Sequence, residues 1–454
     1  YTPDAMVRLG ELYFERSAIQ FQEAYDNAQV RVDAGEEVEL PEQADFNETI
    51  ELYQRLVSNF PDYRRRDGVY YLIGYCLNEM GRFDEALQAW LNLVSANQFT
   101  YDPIAYAAEQ AAIAEAEAAA EAAEAAGEPP AVNLEVEEDM VAEGLGVFVD
   151  PYTECVPVME DAEFVSETWF RVGEYHFDDY RSENALELAI AAYGRILQTP
   201  DDRNYNLALY KVAWAYYRAS RYPEAIQAFG NLVQWSDEER QRTGSAGSQL
   251  RPEAIQYLGI AFAYDDWNEN GLPDYLEGEL TGIQRVQQED LLPQGRDWTP
   301  EVYFGLGQVY FDEAKYPQAI EVWEMALQRW PNNAQAPQIT SMISRAHQEH
   351  GEMDIAINVN NRLSEYGEGS DWWNSNTDNP TEQREAEQLA ENALIQTAIS
   401  EHGAAQRERR HCVELLQAGD PSAADRCNAA AEHYGNAATA YRGYLQRYPN
   451  NPQA

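Results

Sequence analysis

One phrase recurs along the chain and limits what it can become. Tyr71-Leu72-Ile73-Gly74-Tyr75 is followed by Gly81-Arg82-Phe83-Asp84-Glu85-Ala86-Leu87. Val212-Ala213-Trp214-Ala215-Tyr216-Tyr217 is followed by Arg221-Tyr222-Pro223-Glu224-Ala225-Ile226. Phe304-Gly305-Leu306-Gly307-Gln308-Val309-Tyr310 is followed by Lys315-Tyr316-Pro317-Gln318-Ala319-Ile320. Each reads as an apolar helix with a small residue at its centre, a short turn, and a second helix opening on an aromatic and an alanine. The second helices close alike, at Asn59-Phe60-Pro61-Asp62, Arg329-Trp330-Pro331-Asn332 and Arg447-Tyr448-Pro449-Asn450, where proline stops the helix. Small residues at Gly10, Gly74, Gly173, Ala215, Gly259 and Gly307 let a neighbouring helix approach, and large aromatics fill the holes between hairpins. A bundle of unrelated helices would not keep Gly, Tyr, Ala and Pro in register so often.

These residues resemble the tetratricopeptide repeat family. The resemblance covers most of the chain, with helical pairs expected to start near Thr2, Arg66, Val165, Asn204, Arg251, Thr299, Ala336 and Thr381. It implies an all-α, right-handed α-solenoid of about eight hairpins. It also implies protein–protein binding, commonly within envelope assemblies of Gram-negative bacteria.

The expected division begins with hairpins at 1–99 carrying an insertion at 26–44, then an Ala/Glu-rich helical and acidic insertion at 100–163. A central pair and loop at 164–250 leads to a hairpin with a metal loop at 251–298. A pair with a Trp-rich loop occupies 299–380, and an elongated terminal hairpin occupies 381–454. Segment 236–250 also departs from the period. Ala105 to Gly127 is strongly helix-forming but has little to bury, so it reads as a solvated, protruding helix. A flexible joint is expected at Pro129-Pro130, before the acidic run Glu135-Val136-Glu137-Glu138-Asp139.

Lys and Arg number 31 against 79 Asp and Glu, a formal charge of −48. That charge repels nucleic acid and anionic membrane surfaces. Apolar residues at 45% and aromatics at 12% are too many for a disordered acidic tail. No run of about 18 apolar residues is present, so direct membrane insertion is not expected.

The sharpest chemical signal is Asp266-Trp267-Asn268-Glu269-Asn270-Gly271-Leu272-Pro273-Asp274-Tyr275-Leu276-Glu277, which meets the EF-hand loop pattern at every position. Calcium takes six to eight oxygens, so ligands fall on alternating residues. Asp266, Asn268 and Asn270 supply side-chain oxygens, Leu272 its carbonyl, Asp274 binds directly or through water, and Glu277 closes the shell. The plain alternative is a polar turn between two helices. Pro273 stands where paired loops carry a bridging aliphatic residue, so the loop resembles single extracellular calcium sites. A structural Ca2+ clamp with Kd on the order of 10⁻⁴–10⁻³ M is the expectation, rather than a sensor.

Four cysteines are present. The turn signal Ala418-Gly419-Asp420-Pro421 lies midway between Cys412 and Cys427, so two antiparallel helical arms would bring them within disulfide range; two free thiols are the alternative. Cys76 with Cys155 is the weaker pairing, because the long insertion separates them. Cysteine usage points to an oxidising, extracytoplasmic compartment: periplasm, outer-membrane-associated or extracellular.

Catalytic signatures are absent from the sequence: no P-loop, Rossmann fingerprint, G-x-S-x-G or HExxH. His347 and His350 share a helix face without a third ligand, and Trp372-Trp373 sits in an amide-rich loop lacking metal spacing. The expected function is a non-enzymatic scaffold for protein partners, with 30 Tyr and 10 Trp available for contacts. The alternative is a subunit of an extracellular filament, stacked head to tail through ends that lack polar caps; the chain opens at Tyr1 and closes on a phrase that introduces a further repeat. Carbohydrate binding through Trp372-Trp373 is disfavoured.

Overall fold

The computed structural model describes residues 2–125 and 148–447, and these are helical with no strand among them. The Pro129-Pro130 joint, the run Glu135-Val136-Glu137-Glu138-Asp139 and the closing phrase from Tyr448 lie outside the described residues. No helix among the described residues is long and apolar enough to cross a membrane. The chain divides into two compact units, Tyr1–Arg221 and Tyr222–Ala454.

The first unit holds α1 (Pro3–Asp33), α2 (Asn47–Asn59), α3 (Arg66–Glu79), α4 (Phe83–Val94), α5 (Pro103–Ala125), α6 (Val165–Asp178), α7 (Ala185–Ile196) and α8 (Tyr205–Arg218). Hairpins α1/α2, α3/α4 and α6/α7 stack in order, with α2 on α3, α4 on α6 and α7 on α8. The second unit holds α9 (Tyr222–Thr243), α10 (Arg251–Ala263), α11 (Gly282–Arg285), α12 (Thr299–Asp312), α13 (Tyr316–Arg329), α14 (Ala336–Glu349), α15 (Met353–Arg362), α16 (Asp371–Ser375), α17 (Pro380–Ala418) and α18 (Ala423–Arg447). There α9/α10, α12/α13, α14/α15 and α17/α18 pair, and α10 packs directly on α12. The fold is therefore an all-α array of tetratricopeptide-like hairpins.

The small residues of the repeat do what their spacing requires. A Cβ on Gly74 would lie 2.2 Å from Nε1 of Trp90, and one on Gly307 would lie 2.1 Å from Nε1 of Trp323. Each indole donates a hydrogen bond to a carbonyl of the facing helix, Trp90 to Tyr71 and Trp323 to Phe304, with the same residue separation in both units. The missing Cβ thus lets a large ring lie flat on helix backbone and satisfy its one donor. Between α10 and α12 the approach is backbone to backbone, with a Cβ on Gly259 only 2.8 Å from the carbonyl carbon of Gly305.

Departures from the period are mostly helix extensions. Helix α1 runs on to Asp33 and α9 to Thr243, so much of the segments 26–44 and 236–250 is helical. The Ala/Glu-rich stretch forms α5 from Pro103 to Ala125. The fifth pair differs more. Instead of a full second helix, α10 is followed by a single 3-10 turn at Asp274–Leu276 and the one-turn α11. Pro273, Gly278, Pro293 and Gly295 deny this stretch a continuous helix, and Gly278 sits at φ 92°.

At the far end α17 spans 39 residues, about 58 Å at 1.5 Å per residue. Its first half packs through Ala390 and Ala393 on Leu363, and its second half pairs with α18. Buried alanines at 398, 405, 430 and 437 let α17 and α18 lie close. Near the turn, where Gly419 takes φ 69°, Cys412 and Cys427 form a disulfide with Cα atoms 5.1 Å apart. The weaker pairing is not made: Cys76 and Cys155 are free thiols. Cys76 is sealed in the core face of α3, which pushes its thiol up to about 12, whereas Cys155 lies in the loop before α6 beside Ser95.

Candidate functional site

The twelve-residue loop leaves the C-terminal end of α10 and folds on its own side chains. Glu269 and Gly271 take φ 54° and 83°, and these turns wind the chain around the first carboxylate. Asp266 accepts from the backbone N–H of Asn270 at 3.1 Å and of Gly271 at 2.9 Å. Asn268 Oδ1 accepts from Asn270 N–H at 3.0 Å, and Asn270 Oδ1 from Leu272 N–H at 2.9 Å. The amide groups of Asn268 and Asn270 both donate to Glu277 Oε2, at 3.0 and 2.7 Å. The structure so brings together Asp266, Asn268, Asn270 and Glu277, with Leu272 exposed at the loop's turn.

Asp274 does something else. It is buried, accepts from the N–H of Trp267 at 3.0 Å, and pairs with Arg285 of α11. Arg285 also donates to the Tyr264 carbonyl at 3.0 Å and lies 3.9 Å above the Trp267 ring. The expected ninth-position ligand thus has one oxygen in a buried ion pair beneath the loop and the other, Oδ1, without a partner. Among the described residues no cluster of three or more His, Cys, Asp or Glu is poised on a metal, and the loop itself presents two carboxylates and two amides. Those donors are hard oxygens of the kind calcium takes, and a half-turn of each Asn amide presents its oxygen to the centre. Asp266, Asn268, Asn270 and Glu277 are the side chains that could hold a cation here.

The other residues singled out in the sequence meet partners of their own. Trp372 is buried and donates to the Asn333 carbonyl at 2.7 Å, which removes it as a sugar platform. His347 and His350 both face Glu352, at 2.7 and 3.3 Å.

A second feature escaped the sequence. In the first unit, α5 forms one wall of a groove whose other walls are the α3–α4 turn, the start of α4 and the end of α6. A larger chamber of about 1130 Å³ and a smaller one of about 500 Å³ share Asp84, Tyr106, Gln110 and Tyr175. The Tyr175 hydroxyl donates to Asp84, and burial together with that carboxylate raises its pKa. Phe83 and Tyr180 line the larger chamber with 53% and 83% of their surface exposed. The hint was Tyr101 and Tyr106 flanking the start of α5, but nothing local showed which helices they would meet.

Against known proteins, a tetratricopeptide repeat model matches residues 4–63, 69–97, 207–234 and 301–333. The matched stretches fall on α1 and α2, on α3 and α4, on α8 and α9, and on α12 and α13. The chain is similar to that family at these four regions, which hold the register glycines Gly74 and Gly307 with their tryptophans. No curated protein matches the chain.

Proposed function

We propose that this protein is a non-enzymatic interaction scaffold whose α5 groove receives a protein partner. The observation that carries the reading is the groove itself: stacked hairpins supply a fixed wall, and exposed Phe83 and Tyr180 with Tyr175 supply aromatic contact area. Selection of a displayed random-peptide library on the purified protein tests it. Peptides whose binding is lost in Phe83→Ser are the expected result; enrichment of no groove-dependent peptide overturns it.

The reading extends to a structural calcium ion in the 266–277 loop. Support comes from the convergence of four oxygen-bearing side chains at the junction of α10 with an otherwise irregular segment. Bound calcium would hold that junction without switching it, since the loop is already closed by its own hydrogen bonds. An extracytoplasmic setting is supported by the Cys412–Cys427 disulfide, because such bonds persist in oxidising compartments. Alkylation of extracts under native redox conditions, with all Cys412 and Cys427 found reduced, would remove that support.

A further inference from the structure

We infer that the groove beside α5 takes a cationic segment of a partner polypeptide, seating an arginine or lysine side chain in its smaller chamber. This rests on the reading of the groove as a protein-binding surface, and it names the chemistry of what binds. The smaller chamber is lined by three carboxylates, Asp84, Asp102 and Glu109, and by three phenol rings, Tyr101, Tyr106 and Tyr175, with no lysine or arginine. The three arginines of the groove, Arg82, Arg171 and Arg181, line only the larger chamber.

Part of the lining is held before anything binds. Tyr101 donates to Glu85 at 2.7 Å and accepts from Gln54 at 3.0 Å, and Tyr175 donates to Asp84. Asp102 accepts from the N–H groups of Ile104 and Ala105 at the start of α5, at 2.9 and 3.2 Å. A guanidinium or ammonium entering this space meets three carboxylates that no lysine or arginine pairs with among the described residues, and aromatic rings that attract positive charge. A polypeptide segment suits the site better than a small free cation, because the smaller chamber continues past Asp84 and Tyr175 into the larger one. There Phe83 offers an exposed apolar ring to the next side chain of the segment.

A protein of charge −48 attracts any cationic peptide weakly, so the test separates the groove from the bulk field. Fluorescence anisotropy is measured at physiological salt with a labelled arginine–leucine peptide and its neutral citrulline–leucine counterpart. The proteins are the wild type, Asp84→Asn/Glu109→Gln, and Glu349→Gln/Asp354→Asn, which removes the same charge from exposed helix surface of the second unit. Circular dichroism and melting confirm that each variant is folded. The arginine peptide is expected to bind the wild type, with citrulline or the groove variant each weakening it about tenfold and the surface variant leaving it unchanged. Equal loss in both double variants overturns the inference, since only the general field then binds. Equal binding of the citrulline peptide, lost in Phe83→Ser, also overturns it but leaves the scaffold reading intact. Absence of any groove-dependent peptide binding overturns both.

Discussion

The side-chain amide of Asn270 donates to Glu277 Oε2 at 2.7 Å, across the mouth of the twelve-residue loop. Asn268 makes the same contact from the other side. Neutral amides at these two positions let the loop close without a cation, where aspartates would repel both Asp266 and Glu277. The double variant Asn268→Asp/Asn270→Asp is therefore expected to melt lower than wild type in chelator and to gain more from millimolar calcium. Thermal melts with and without chelator measure this. Calcium-independent melting of both proteins would rule out a functional ion at the loop.

Asp274 and Arg285 form a buried ion pair under that loop, and removing one partner strands the other charge. Arg285→Met is expected to lose about 3–5 kcal/mol of stability, read from urea denaturation.

Close approach gives an opposed pair of glycine predictions. Gly74→Ala and Gly307→Ala each push a Cβ into an indole and should destabilise by about 1–3 kcal/mol. Gly194, inside α7 with nothing within 4 Å of a built Cβ, should gain about 0.5–1 kcal/mol as Ala. Chemical denaturation of the single variants distinguishes the two classes.

His176 is buried in α6 with its ring 2.8 Å from the Tyr152 hydroxyl, and burial pushes its pKa from 6.5 down to about 4. The unfolded chain therefore takes up this proton first as pH falls. Stability should drop between pH ~6.5 and ~4 by about 3 kcal/mol from this group, and no further below that. Urea midpoints across this range for wild type and His176→Gln test the assignment; an unchanged pH slope in the variant refutes it.

The disulfide Cys412–Cys427 closes a 15-residue separation near the free end of the α17–α18 arm. Cys412→Ser/Cys427→Ser should lose about 3 kcal/mol by loop entropy, local to the arm. Hydrogen exchange should speed up around Ala405 and Ala430 and leave α12 and α13 unchanged. Uniform acceleration across the second unit would mean that the arm is not an independent opening unit.

Much of the fold was legible because its causes are local. A small residue in one helix and a tryptophan in the next are set by a short separation, so the Gly74–Trp90 contact is repeated at Gly307–Trp323. The helices expected to start at Arg66, Val165, Arg251, Thr299 and Ala336 begin there for the same reason. The order of oxygens from Asp266 to Glu277, and the turn placing Cys412 opposite Cys427, also lie within one stretch of chain.

What the sequence by itself determined, then, is the hairpin unit and the two motifs that need only neighbouring residues. The tertiary structure alone decided which side chains from separate elements meet. It tied one oxygen of Asp274 to Arg285 of α11, and it set Cys76 into a core face away from Cys155. It also made a groove where Tyr106 and Gln110, at the start of α5, face residues of α4 and α6. The reason is physical: periodicity encodes which face of a helix is apolar, whereas the partner of a polar or charged group depends on which distant segment packing brings beside it.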